Sequence, residues 1–317
     1  MAPGGYLWWY VDAVSDDGRY ALTLIAFVGS VFSPGYYAAR QKDRQADPLD
    51  FCAINLHIAG PDGELWVFTE GQSVDRDSGH FDLDGVHGNT RLERRDGELH
   101  IVFDERTTPF FQRMPKRVAG RIRLIPGARF DHPVEIDLQG RHRWWGLAPH
   151  SRAEVVLDTP GLRFSGPAYH DCNQGTEGLE DGFVRWDWSR AELPHGTAVL
   201  YDVEPRRGRP GHRRELGFVF GADGTLDAFE APERRGLGRA RWGVDRGTRV
   251  DTDGEARVVQ TLVDSPFYAR SVVRTTLGGH DAVGVHETLD CDRFAAGWVR
   301  FLLPWRIRRT PRRSRRG

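Results

Sequence analysis

The residues best suited to chemistry stand in the run Tyr169-His170-Asp171-Cys172-Asn173-Gln174-Gly175. Alternate residues of a strand point to one side, so Tyr169, Asp171 and Asn173 share a face and Gly175 ends it. An aspartate facing an otherwise apolar barrel interior loses hydration, which raises its pKa and favours the protonated acid. Such a group donates a proton. The plainer reading of the same run is an Asp-Asn pair opening a turn, with the tyrosine in the core. A second group, His142-Arg143-Trp144-Trp145, puts His142 and Trp144 on one strand face. Its plainer reading is a surface Arg-His segment with one core tryptophan. In a third group Trp186 and Trp188 share a face around Asp187, with Phe183 and Arg190 beside them. These read mainly as core and pocket wall. Asp202, after Tyr201, is a weaker alternative acid. Around Pro266, Asp264, Tyr268 and Arg270 read as a strand break whose corner an Asp-Arg pair fixes.

Large aromatics concentrate at the amino-terminal end, where Tyr6, Trp8, Trp9 and Tyr10 fall within five positions. This density suits a cavity for something long, apolar and flat. A hairpin with a heavy core is the plainer alternative. Asp12, Asp16 and Asp17 read as turn formers and a possible buried partner rather than acids. The sequence has no GxGxxG before a helix and no phosphate-cradling loop. It has no clustered His/Cys spacing for a metal and no GxSxG elbow. An enzyme built from this chain is expected to work with ionisable side chains alone, without cofactor or metal.

The elements that must position these residues are strands. Asp-Gly pairs stand at 17, 62, 84, 96, 181, 223 and 253, most of them near alternating or aromatic runs. The spacing predicts hairpins over 57–68 and 215–229, and a third joining 271–276 to 283–289 across Gly278-Gly279. Pro34 to Arg40 is the best short helix candidate, followed by a charged connector from Lys42 to Asp50. The pattern is all-β, a barrel or a sandwich. The stretch 148–161, with Pro160-Gly161, is a plausible boundary between two domains.

The formal net charge of −1 over 317 residues hides an asymmetry. Seven arginines fall in the last twelve residues: Arg306, Arg308, Arg309, Arg312, Arg313, Arg315 and Arg316. That tail reads either as a disordered solvated end or as a polybasic segment drawn to anionic lipid. No recognition module for nucleic acid accompanies it. Cys52, Cys172 and Cys291 lie far apart, which fits a reducing compartment rather than a disulfide framework. The start shows no secretory signal, and no stretch is apolar enough to span a bilayer as a helix.

Several motifs together carry a family resemblance. They are Gly-Gly-Tyr-x-Trp-Trp-Tyr-Val-Asp-Ala from Gly4, Ala26-Phe27-x-Gly29-Ser30-Val31-Phe32-Ser33-Pro34, and Tyr169-x-Asp171-x-Asn173-x-Gly175. Further on stand Phe183-x-x-Trp186-Asp187-Trp188-Ser189-Arg190, Leu200-Tyr201-Asp202, and Asp264 to Ser271. Over roughly residues 4 to 305 the chain resembles the carotenoid 1,2-hydratases, or hydroxyneurosporene synthases, of phototrophic bacteria. The resemblance implies two lipocalin-like β-barrel domains in tandem, 1–158 and 159–305, ahead of the basic tail 306–317. It implies addition of water to the terminal C1=C2 bond of an acyclic carotene such as neurosporene or lycopene, peripherally at the cytoplasmic side of the bacterial inner membrane. Asp171 is then the acid, with His142, Trp144 and Tyr169 around it. Trp144 and Tyr169 suit a cation by their ring faces, His142 suits positioning the water or taking its proton, and Asn173 orients the water or Asp171. Trp8, Trp9, Asn173, Trp186 and Trp188 are expected to bind substrate. A non-catalytic lipid carrier would use the same aromatic cavity and ignore the aspartate. A sugar-active protein would need a second carboxylate near the first.

Overall fold

The computed structural model describes residues 1–71, 73–76, 80–85, 88–108, 114–306 and 308–309, and no side chain in 72–79, 85–87, 109–113 or 305–317. The expected basic tail therefore lies almost wholly outside the described residues. The chain is mostly strand, as its alternation predicts, and divides into two compact units. One comprises Met1–Gly127, Trp145–Thr176 and Leu302–Gly317; the other Ala128–Trp144 and Glu177–Phe301.

The strands in chain order begin with β1 (Tyr6–Val14), β2 (Ala21–Val28), β3 (Ala53–Gly60), β4 (Gly63–Glu70), β5 (Ser73–Arg76), β6 (His80–Gly85) and β7 (Gly88–Arg95). Next come β8 (Glu98–Arg106), β9 (Arg117–Pro126), β10 (Pro133–Glu135), β11 (His142–Thr159) and β12 (Leu162–Gly175). In the first unit neighbours run β4-β3-β2-β1-β12-β11-β9-β8-β7-β6-β5, with the two-residue strand Arg308–Arg309 on the outer side of β4. The sheet curls until β4 meets the end of β8. The Thr108 N–H donates to the Trp66 carbonyl at 2.8 Å, and the Phe68 N–H donates to the Thr108 hydroxyl at 2.9 Å. One face of the roll is the apolar core, drawn from nearly every strand: Val11, Leu24, Leu56, Val67, Phe103, Ile122, Val155 and Ala168 among others. Into this core also projects Glu105. It accepts the hydroxyls of Thr69 and Thr90, and burial pushes its pKa up against those two bonds.

Local chemistry explains the first hairpin. β-Branched and aromatic residues fill β1 and β2, and Gly18 supplies a φ of +70° at the turn between them. Ser15 donates to Asp17 and its carbonyl accepts from Gly18, so Asp17 is the turn former expected. The expected hairpin over 57–68 is β3–β4. The helix predicted from Pro34 runs Pro34–Lys42, capped by the Ser33 side chain.

The second unit holds β13 (Phe183–Leu193), β14 (Gly196–Pro205), β15 (Arg214–Gly221), β16 (Leu226–Phe229), β17 (Arg234–Arg239), β18 (Asp245–Arg249), β19 (Ala256–Asp264), β20 (Tyr268–Leu277) and β21 (His280–Asp290). Seven of them form an open sheet, β16-β15-β14-β13-β21-β20-β19, and β17–β18 is a separate hairpin. The hairpins predicted over 215–229 and across Gly278-Gly279 are present, the latter with both glycines at positive φ. The all-β expectation holds, and among the described residues neither sheet closes by a continuous ladder.

The observed units also differ from the contiguous division 1–158 and 159–305. Pro160-Gly161 turns between β11 and β12, which are neighbours in one sheet. A turn signal there marks a hairpin, and the chain passes between units at other points.

Candidate active site

In the first unit β1 and β12 run antiparallel with Trp8 opposite Asn173, Tyr10 opposite Asp171 and Asp12 opposite Tyr169. Directly opposed residues lie on the same face. Six residues named by two alternating patterns thus converge on one face. The other face carries Val11, Ala13 and Ala168 in the apolar core, with Trp9 packed against it and 5.5 Å from the Phe81 ring. The expectation that Asp171 looks into that apolar interior is therefore corrected. It lies on the opposite face of the same strand, because the strand period is two. Trp8 is with Asp171, and Trp9 is not.

The Asp171 face is nonetheless dry. Tyr10, Asp12, Tyr169, Asp171 and Asn173 are all buried, Asp12 and Tyr169 completely. The Tyr169 hydroxyl donates to Asp171 Oδ2 at 2.7 Å, and the Tyr10 hydroxyl donates to Asp12 Oδ2 at 3.0 Å. The two phenol rings meet edge to face at 6.0 Å. The result is a matched pair, one tyrosine and one aspartate two residues apart on each strand, running in opposite directions. Trp8 extends the face, stacked on Tyr6 at 4.8 Å and edge-on to Phe27 at 6.1 Å. On the reverse face His170 Nδ1 sits 2.9 Å from the Tyr10 carbonyl, and burial pushes its pKa down to about 4. It is a neutral imidazole that ties the two strands together.

Asp12 is the residue that sequence reasoning undervalued. Its signal was present: Trp8, Tyr10 and Asp12 alternate as Tyr169, Asp171 and Asn173 do. Proximity to the Ser15-Asp16-Asp17-Gly18 turn concealed it.

The other expected site residues belong to the second unit. His142 is fully buried, its N–H bonded to Asp137 and its Nε2 3.6 Å from Glu177 Oε1. A Cβ on Gly182 would stand 2.6 Å from that nitrogen, so a side chain there would displace the imidazole. Trp144 is fully buried, with its ring 5.1 Å from Tyr201 and 5.7 Å from both Phe218 and Phe220. Trp186 joins this aromatic group through Tyr201 at 5.6 Å and Phe183 at 5.2 Å. Trp188 is buried opposite Tyr201 in the β13–β14 register.

The alternative acid Asp202 is held by guanidinium groups. Burial raises its pKa, but Arg213 and Arg249 outweigh that and hold it below the usual carboxylate range. It is a built-in counter-ion. The expected pairing of Asp264 with Arg270 is corrected. Asp264 accepts the backbone N–H groups of Arg241 and Trp242, while Arg270 Nε lies 3.2 Å from Glu287, its direct cross-strand neighbour. Among the described residues no group of three or more His, Cys, Asp or Glu side chains is arranged to hold a metal ion.

The architecture is that of a lipocalin-like β protein. It is similar to the crystal structure of CghA with Sch210972, at a TM-score of 0.63 and 13% identity, covering 92% of this chain and 89% of that one. A second CghA structure gives a TM-score of 0.62. At such identity the likeness concerns the fold alone. The sequence goes further. The family model described as carotenoid hydratase CrtC matches residues 24–316, and the chain belongs to that family. It is 46% identical to the acyclic carotenoid 1,2-hydratase of Thiocapsa roseopersicina over 98% of this chain and 74% of that protein. The protein of the same name from Rubrivivax gelatinosus is also 46% identical, over 99% and 75%. That from Cereibacter sphaeroides is 36% identical, over 91% of this chain and 98% of its own length.

Proposed function

We propose that this protein adds water across the terminal C1=C2 double bond of an acyclic carotenoid, such as neurosporene or lycopene, with Asp171 as the general acid. The Asp171 carboxyl gives its proton to C2, and the C1=C2 π pair forms the new C–H bond. C1 is left as a tertiary cation, a water oxygen bonds to it, and the proton that water sheds restores the acid. The product is the 1-hydroxy carotenoid, heavier by one water. The carrying observation is the buried Tyr169–Asp171 hydrogen bond on a face shared with Trp8, Tyr10, Asp12 and Asn173. A dry setting favours proton transfer to carbon and shields a cation from side reactions. The ring face of Tyr169 supports the cation, worth up to about 2 kcal/mol when desolvated.

These supporting observations all lie in the first unit. His142 and Trp144, in the second, keep roles in water handling and cation support that rest on the resemblance alone. Trp8, Trp9, Trp186 and Trp188 are substrate-binding candidates on the same footing. No helix among the described residues is long and apolar enough to cross a membrane. Peripheral action at the cytoplasmic side of the inner membrane is part of the proposal.

The test is anaerobic incubation of the purified chain with lycopene in detergent, without added cofactor, followed by mass analysis. The expected product is heavier by one water. Unchanged lycopene with quenched tryptophan fluorescence would instead identify a carrier.

A further inference from the structure

We propose that the second unit carries a membrane-docking platform made of Trp242, Trp298 and Phe301, and that its occupant is the anionic surface of a lipid bilayer. These three aromatics are 47%, 47% and 70% exposed, whereas Trp144, Trp186 and Trp188 are buried. Exposed apolar groups gathered in one patch mark an interaction site, whereas single ones need no explanation. Rigidity is what the structure builds here.

Trp242 sits at the tip of the β17–β18 hairpin. The turn is closed by Ala240 and Val244 and by the Gly243 N–H to the Ala240 carbonyl, with Gly243 at a φ of +86°. Asp264 grips the tip from outside the hairpin, accepting the N–H groups of Arg241 at 2.6 Å and Trp242 at 3.3 Å. Arg293 joins the two halves of the platform. Its guanidinium donates to the Trp242 carbonyl and to the Pro266 carbonyl, and its central carbon lies 5.9 Å from the Trp298 ring. Trp298 and Phe301 are one turn apart on the short helix Gly297–Leu302, hence neighbours on its surface. Val299 of that helix is buried, which seats it on the unit.

Charge selects the occupant. Arg239 and Arg241 are exposed on the hairpin, while the nearby exposed Asp245 and Asp292 are answered by Arg185 and Arg206. Seven further arginines follow Phe301 in the sequence, from Arg306 to Arg316. Tryptophan flanked by arginine is the composition of a headgroup-level anchor, and each basic residue near an anionic surface adds to its attraction. A second protein copy is the poorer fit. At these exposures the three rings offer roughly 400 Å² or less, against about 800 Å² per partner in a stable protein interface.

The inference deepens the peripheral-membrane part of the proposed function. Its test uses vesicles free of carotenoid, so a failure of hydration and a failure of docking are read separately. The full chain is floated with phosphatidylcholine vesicles, with and without phosphatidylglycerol, beside a Trp242→Ser, Trp298→Ser, Phe301→Ser variant. The natural chain is expected to float with the anionic vesicles and to keep part of that binding at about 1 M salt, where charge attraction reaches only about 3 Å. The triple variant is expected to bind at least tenfold more weakly and to lose the salt-resistant part. Phe301→Ser alone, the most exposed of the three, is expected to weaken binding measurably should the triple variant misfold. Equal flotation of natural and variant chains would overturn the proposal. So would a dimer that the same substitutions dissociate, since the occupant would then be a second copy.

Discussion

In the first unit Asp12 and Asp171 are buried on adjacent antiparallel strands and accept hydrogen bonds from Tyr10 and Tyr169. In the second unit Asp187 and Asp202 are also buried on adjacent strands, directly opposite one another, and accept from guanidinium groups. Arg185 serves Asp187, and Arg213 and Arg249 serve Asp202. Two carboxylates directly opposite repel, and the arginines answer that repulsion by fixing the charge in place. A phenol does something different. It donates to a carboxyl whether or not the proton is present, and so leaves that proton available. Each unit thus buries two aspartates on adjacent strands, one pair under guanidinium groups and the other under phenols.

Exchanging each aspartate for its amide breaks this comparison most directly. Asp171→Asn is expected to lower hydration about 10²–10⁴-fold, the usual share of a general acid, with the circular dichroism unchanged. Asp202→Asn is expected to leave the rate per folded molecule within a few-fold. A folded Asp171→Asn chain that retains most activity would remove Asp171 from the acid role.

Stability should show the reverse order. Asp202→Asn takes away the buried carboxylate that Arg213 and Arg249 share and leaves Arg249 to Glu215 alone, at a cost approaching the about 3–5 kcal/mol of a broken buried pair. Asp171→Asn, whose observed partner is a neutral phenol, is expected to cost about 1 kcal/mol. Urea unfolding of both variants gives the two values. Equal losses would mean that the two aspartate pairs do the same structural job.

Acid separates the units further through their buried histidines. The folded value of His170 is about 4, below the ordinary 6.5, and that of His286 is lowered by burial even though Asp187 and the Gly247 carbonyl oppose the shift. Between those limits the unfolded chain binds a proton that the native chain does not, so stability falls as pH drops through that window. For His170 the loss amounts to about 3 kcal/mol when complete. The Asp202 contribution has the opposite origin, a lowered carboxylate value, and disappears only below about pH 4. Urea midpoints at pH 7.5 and 4.5 are expected to differ accordingly, and His170→Gln to remove part of the difference. An unchanged slope in that variant would show that His170 is not the titrating group.

Much of this was legible in the chain itself. Strict alternation gave the strands, and Gly18, Gly278 and Gly279 marked turns because their positive φ suits glycine. The Tyr169-Asp171-Asn173 face followed from period two. What alternation cannot tell is which face of a strand meets the apolar core. Trp8 and Trp9 look equivalent in sequence, yet only Trp8 shares the Asp171 face. Pairing partners are equally hidden. Asp12 looked like part of a turn until register placed it opposite Tyr169, and Arg270 looked like the partner of Asp264 until register gave it Glu287. The Pro160-Gly161 turn read as a boundary because a hairpin inside one sheet and a linker between domains use the same residues.

The smallest expected effects sharpen the comparison inside the first unit itself. Tyr169→Phe and Tyr10→Phe each remove one hydroxyl and keep the ring, so packing at the 6.0 Å ring contact survives. One hydrogen bond of this kind is worth about 1 kcal/mol, roughly a fivefold change. If Asp171 alone gives the proton, Tyr169→Phe should lower turnover by about that factor and shift its pH profile, while Tyr10→Phe should change only the urea midpoint. Equal effects on turnover would mean that Asp12 and Asp171 act as one coupled pair. The acid would then be the cross-strand cluster, with its proton shared between two carboxyls, and the matched geometry of β1 and β12 would be its cause.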